Sequence, residues 1–251
     1  MLLRIFPWFI MIVFAIQFGV AHSEETLRVG VKSGKAPYIM ASTKLTKQDY
    51  DQKRMLGIEF DLFKAALPDV TITPVYMNYD RMHDAIKKDV IDAGSNLRKE
   101  VEGIFYVDNF LRLYDHIIIN TKTARDVRTI QDLKGKRVVA FQHASKYLDD
   151  VFRQAIKEAA SYREIDDQEK QVRIFFAGRA DVLITDIAIF KHWAKRYGNA
   201  KVSYEFTPLF PKPMYFSVGF KSETMRNRFQ KGLDEIKASG LYDKIYGRYL
   251  E

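Results

Sequence analysis

Short β-prone runs alternate with amphipathic helical segments along the first part of this chain, and that alternation limits its architecture more than any other feature. LRVGV over 27–31 reads as a strand, followed by a loop over 32–37. GIEFDLFKAAL over 57–67 has apolar residues at helical spacing and stops at Pro68. VTITPVY over 70–76 is β-rich, 80–88 is a second amphipathic helix, and Val90 and Ile91 open a further short strand. Strands separated by helices imply parallel βαβ units.

A second set follows. LYDHIIIN over 113–120 is a longer strand, and IQDLKGKRVVAF is a helical turn, a glycine stop and a strand over 137–141. The segment 145–160 reads as a helix, and 172–176 either continues a helix or belongs to a loop. A strand over 180–185 precedes a helix over 187–197 that ends at Gly198. PLFPKP over 208–213 is a connector, 214–220 is a strand, and 224–251 is largely helical with breaks at Gly240 and Gly247. No internal repeat stands out. Two α/β units in series, with helices left over at the end, fit two lobes joined by extended crossings at 113–118 and 213–218. The first lobe would take 24–112 and the returning 219–251, and the second 119–212. Ligands in open α/β sheets bind beyond the carboxyl ends of the strands, near helix N-termini, so two such edges facing each other form a cleft.

The first 23 residues read as an export signal: one early cation, Arg4, an apolar run of about 16 residues from Ile5 to Val20, and small residues Ala21 and Ser23 flanking His22. The run is short of the ~20 residues that span a bilayer, so cleavage after Ser23 and a periplasmic mature chain are expected, the rival being an uncleaved anchor. Cysteine is absent, so an exported chain must rely on its core, which about 228 residues can supply. The net charge of +8 is spread over short basic runs, which argues for a solvated surface and against a nucleic-acid groove. The mature histidines His83, His116, His143 and His192 have no metal-ligand spacing, and no G-x-S-x-G or G-x-G-x-x-G occurs. No metal or cofactor is expected.

One acid stands out. In RADVLITDIAIF, over 179–190, Asp186 sits within an apolar run, after a strand and before a helix. Either it caps the helix by accepting backbone N–H groups, or its carboxylate points into the cleft and holds a cation. The two roles are compatible.

Several stretches, in order, resemble the periplasmic solute-binding proteins that serve polar amino-acid ABC transporters: LRVGVKSGKAPY, GIEFDLFKAAL, MNYDRMHDAIKKDVIDAG, FYVDNFLRLYDHIII, IQDLKGKRVVAFQHASKYLDD, GRADVLITDIAIF and MYFSVGFKSETMRNRFQKGLDEIKASGLYDKIYGRYLE. The resemblance covers essentially the whole mature chain, and DLKGKRV and ASGLYDKIYGRYL are its most specific parts. It implies a two-lobed α/β periplasmic-binding-protein-like fold with two hinge crossings. It also implies a monomer that closes on a small zwitterion and hands it to an ABC permease. By the same resemblance, Tyr38 and Tyr79 would pack on the ligand, Asp186 would take its ammonium, and the turn Ala144-Ser145-Lys146 would cradle its carboxylate. Ser95 and Asn96 would add polar contacts. The chain departs from the family pattern in two places. DAGSNLRKE is shorter than the usual segment ending in Thr-x-Glu-Arg, so Arg98 either grips the carboxylate or lies on the surface. Lys146 replaces a small polar residue and adds a cation. Rival functions are a dehydratase of the same fold with a cleft general acid, Glu59 or Asp186, a receptor that feeds a separate sensor protein, and a structural protein without a ligand.

Overall fold

The computed structural model describes residues 25–32, 34–40, 57–97 and 101–250. The expected signal over 1–23 and the candidate Arg98 lie outside these residues. Within them the strands form two five-stranded sheets, one per lobe. The first lobe holds β1 (Glu25–Val31), β2 (Val70–Tyr76), β3 (Ala93–Leu97), β4 (Phe105–Leu113) and β10 (Met214–Phe220), in the order β2-β1-β3-β10-β4. The second holds β5 (Asp115–Asn120), β6 (Arg137–Phe141), β7 (Ser161–Ile165), β8 (Val182–Asp186) and β9 (Tyr204–Pro208), in the order β7-β6-β8-β5-β9.

The two sheets share one topology. β1 runs parallel to β2 and β3, and β10 lies antiparallel to β3 and β4. β6 runs parallel to β7 and β8, and β5 lies antiparallel to β8 and β9. A local device repeats as well. Arg28 on β1 clasps Asp92 through Nε at 3.0 Å and Nη2 at 2.7 Å, while its N–H donates to the same carboxylate at 2.8 Å. Arg137 on β6 clasps Asp181 in the same way, at 3.0, 2.6 and 2.8 Å. Each acid immediately precedes the neighbouring parallel strand and fixes its start.

Burial pushes the Asp181 carboxyl up, but Arg137 outweighs it and brings the pKa down to about 2. An acid held below its ordinary range stabilises the fold above that range, and the effect fades as pH falls through the folded value. The stability gap between wild type and Asp181→Asn is therefore expected to shrink between about pH 4 and about pH 2. Urea titrations across that range test this, and a gap that stays constant contradicts it.

Both faces of the second sheet are buried along its three central strands, β5, β6 and β8, which explains their near-continuous apolar sequences. Ile117, Ile119, Val138, Ala140, Val182 and Ile184 enter one core, and Ile118, Val139 and Leu183 enter the other. In the first lobe, α1 (Ile58–Ala66), α7 (Glu223–Ala238) and α8 (Leu241–Leu250) cover one face. The rings of Phe63, Phe110 and Phe220 lie 5.0, 5.5 and 5.1 Å from that of Phe229. A short helix, α2 (Met82–Lys87), covers the other face through Met82, Ala85 and Ile86.

The chain passes between the sheets at Tyr114 and again over 209–213, so 115–118 lie in β5 and 214–218 in β10. The long strand expected over 113–120 breaks at Tyr114, where one sheet hands over to the other. The helix expected over 145–160 is divided into α3 (Ala144–Tyr147), α4 (Asp150–Ala155) and a 3-10 turn. Asp149 makes the division by accepting the Phe152 N–H at 2.9 Å and starting a new helix. The undecided segment 172–176 is the end of α5 (Gln168–Phe176). The helix α6 (Ile187–Tyr197) starts and stops as its sequence suggests. It also joins the lobes, because Ala188 and Ile189 belong to the apolar cluster of the first lobe.

Candidate functional site

The carboxyl ends of β1, β2 and β3 face those of β6, β7 and β8 across a cleft of about 1240 Å³. The first lobe contributes Lys32 and Lys35 after β1, Tyr79 after β2 and Asn96 on β3. The second contributes His143 and Lys146 after β6, Asp166 and Asp167 after β7, and Asp186 and Trp193 around the start of α6. An ion pair spans the two lobes, with Lys32 Nζ 2.6 Å from Asp166 Oδ1. Both partners are partly exposed, so it contributes about 0–1 kcal/mol to closure.

Asp186 is 3% exposed and lies on the cleft wall. Its Oδ1 accepts the N–H groups of Ala188 at 2.9 Å and Ile189 at 3.1 Å, which is an N-cap. Its Oδ2 accepts the N–H of Tyr114 at 2.7 Å, at the crossing between lobes. Burial pushes its carboxyl above the usual range, and these N–H groups, Tyr38 and Lys35 pull the other way. The acid thus caps α6, faces the cleft and ties α6 to the crossing at the same time.

The other candidates divide between wall and interior. Tyr79 is on the wall, and its hydroxyl accepts from Lys35 Nζ at 3.3 Å. Asn96 is on the wall at 8% exposure, in the left-handed region at φ 58°, with its Oδ1 lacking a hydrogen-bond partner. Lys146 is exposed at the rim. Tyr38 lies off the wall: it is 1% exposed, its hydroxyl donates to the Arg112 carbonyl at 3.1 Å, and its ring packs in the core of the first lobe. Ser95 also faces inward and donates to Glu59 Oε2 at 2.6 Å. Asn96 reaches the cleft from a left-handed backbone position where the pairing of β3 with β10 shifts register, while Ser95 stays directed at Glu59.

The turn around Ser145 already carries a carboxylate. The N–H groups of His143 and Ser145 donate to Glu164 Oε2 and Oε1 at 2.7 and 2.8 Å, and the Tyr162 hydroxyl donates to Oε1 at 2.7 Å. The donors expected to cradle a guest are thus directed at β7.

Among the cleft residues that escaped the reading of the sequence are Lys32, Lys35 and Trp193. The two lysines lie in the loop KSGKAPY, where no periodicity assigns a face. Trp193 reads as an ordinary member of the α6 apolar stripe, yet its Nε1 is a buried donor without a partner. Among the described residues no cluster of His or carboxylate groups is arranged to hold a metal ion.

This fold is shared with solved structures. An ancestral arginine-binding protein bound to arginine superposes with a TM-score of 0.65, at 22% identity, over 92% of this chain and 100% of that one. An ancestral amino acid-binding protein described as a precursor of cyclohexadienyl dehydratase superposes with a TM-score of 0.63, at 21% identity, over 90% of this chain and 96% of that one. The fold is that of the two-lobed periplasmic amino-acid-binding proteins. In sequence, the chain is 25% identical over 242 residues to the lysine/arginine/ornithine-binding periplasmic protein of Escherichia coli (strain K12), covering 90% of this chain and 88% of that protein. No protein-family model matches the chain.

Proposed function

We propose that this chain is an exported solute-binding protein that captures a small polar solute of the amino-acid class between its lobes, in the periplasm, for delivery to an ABC permease. The observation that carries this reading is the cleft itself. It lies where the parallel strands of both lobes end, and charged or polar side chains from both lobes line it. A solute that touches both lobes favours the shut arrangement, because only there are all its contacts made. The crossings at Tyr114 and 209–213 are the hinge.

Of the two candidate general acids among the described residues, Asp186 faces the cleft with its carboxyl pushed up by burial, but both its oxygens are committed to the N–H groups of Tyr114, Ala188 and Ile189. Glu59 has its carboxyl pushed up by burial, as a general acid requires, but it is 1% exposed, bonded to Ser95 and off the cleft wall. Purified protein is expected to leave prephenate unchanged, and product formation would establish the dehydratase reading. A permease partner is the reading drawn from the similarity to a lysine/arginine/ornithine-binding periplasmic protein, with a separate sensor as the alternative.

A thermal-shift screen of the chain from residue 24 tests solute capture directly. At a concentration about a hundredfold above Kd, a solute adds about 2.7 kcal/mol of apparent stability. For a domain of this size that is a rise of roughly 5–10 °C in Tm. The panel holds amino acids, their 2-oxo counterparts, small peptides and dicarboxylates. A flat response across it removes the reading.

A further inference from the structure

Lys35 is the least expected side chain in the cleft. It is 7% exposed, yet it lies on the cleft wall. Its Nζ sits 5.3 Å from the ring centre of Tyr38, 5.5 Å from that of Tyr79 and 5.9 Å from that of Phe216. It donates to the Tyr79 hydroxyl, and its charge acts on the buried carboxyl groups of Glu59 and Asp186. Aromatic faces with buried carboxylates beside them are the surroundings in which a receptor holds an ammonium group. Here the chain fills that seat from within.

The consequences for a guest follow from charge. An ammonium brought to this place meets another ammonium, held among the three rings, whose charge already acts on Asp186. The acids across the cleft offer little substitute. Asp115 is buried on the wall and already engaged within the protein, Asp166 is paired with Lys32, Asp167 caps α5 by accepting the Lys170 N–H at 2.9 Å, and Glu169 accepts the Tyr197 hydroxyl. An anionic group, by contrast, finds Lys35 held in position, with Lys146 at the opposite rim.

We propose that Lys35 is a resident cation that takes the place of a guest ammonium, so that the cleft selects small carboxylates recognised without one, such as 2-oxo acids or dicarboxylates. The proposal rests on the solute-capture reading and narrows it. A burial of this kind also makes Lys35 a specificity residue, since truncating one partner of a buried charge contact weakens binding steeply.

Calorimetric titration with matched pairs tests it: L-glutamate against 2-oxoglutarate, L-arginine against its 2-oxo acid, and L-aspartate against succinate. Wild type is expected to hold the deaminated member of at least one pair at least as tightly as the amino acid. Lys35→Met is expected to weaken that member by about thirtyfold or more, with Lys35→Arg retaining it. Circular dichroism and Tm show whether Lys35→Met is folded; if it is not, the ranking within pairs in wild type and in Lys35→Arg decides. Wild type binding the amino acid of every responsive pair about tenfold more tightly, or Lys35→Met keeping wild-type affinities, overturns the proposal while leaving solute capture intact. Silence of all pairs in titration and of the whole thermal-shift panel removes capture itself, and this proposal with it.

Discussion

Asp186→Ala is expected to lose about 3 kcal/mol or more of folding stability, and roughly 10 °C in Tm. The mutation leaves three backbone N–H groups without their acceptor: those of Ala188 and Ile189 at the start of α6, and that of Tyr114 where the chain changes lobes. A lost helix cap alone costs about 1 kcal/mol, and each buried donor left unsatisfied costs about 1–3 kcal/mol. Water entering from the cleft side recovers part of this. Asp186→Asn keeps an oxygen for the cap but turns an amide toward the Tyr114 N–H or away from it, so an intermediate loss is expected. Chemical denaturation with both variants gives the comparison. An Asp186→Ala protein as stable as wild type contradicts the structural role. The sequence offered a helix cap or a cleft carboxylate at this position, and the side chain is both an anchor of the framework and part of the wall. Binding by the variant is therefore interpretable only at temperatures where it is folded.

Gly232→Ala has a comparable expected effect and a purely steric cause. A Cβ at 232 on α7 would stand 2.0 Å from the carbonyl oxygen of Ala66 and 2.7 Å from its carbonyl carbon. Both atoms are backbone, so α1 and α7 must separate. Alanine returns about 1 kcal/mol of helix propensity, but forcing apart a packed core costs about 1–3 kcal/mol and sometimes more. The separation also loosens the Phe63–Phe229 contact at 5.0 Å. A net loss of about 3 kcal/mol is expected. Gly247→Ala is the control: it lies in α8 with nothing within 4 Å of an added Cβ, so a gain of up to about 1 kcal/mol is expected. Equal shifts in the two variants would contradict the close approach of α1 and α7.

These two positions also show what was legible in the sequence. The strand–helix pattern around Asp186 placed it at the carboxyl end of a strand, and β8 and α6 lie there. Runs with strong periodicity or sustained apolarity, such as LRVGV, VTITPVY, RVVAF and IAIFKHWAKRY, formed the expected elements. Elements without such a signature were missed. β9 is exposed at every position and has no buried face to generate alternation. β7 is an edge strand with polar residues among SYREI. In β4 the alternation is interrupted at Asp108 and Asn109, where Asn109 adopts φ 54° and the pairing with β10 shifts register. Gly247 reads as a helix break, but α8 continues through it because Tyr242, Ile245 and Tyr246 bury one face.

The site was less legible for a related reason. Tyr38, Tyr79 and Phe216 surround Lys35 from three separate parts of the chain, and no local pattern brings such residues together. The reversal at Glu164 is of the same kind: an acid on β7 reaches the turn at Ser145 only because β6 and β7 are paired, with Ala140 opposite Glu164. Sequence order placed the turn beside the cleft, and tertiary pairing supplied its carboxylate from within.

The most direct measurement is a crystal structure of the chain from residue 24 with the solute that raises its Tm most. Electron density for that solute between the lobes is expected, touching the Lys35 and Asn96 side of the first lobe and the second lobe as well. Density at any other place, with the space between the lobes holding solvent alone, would contradict capture in the cleft.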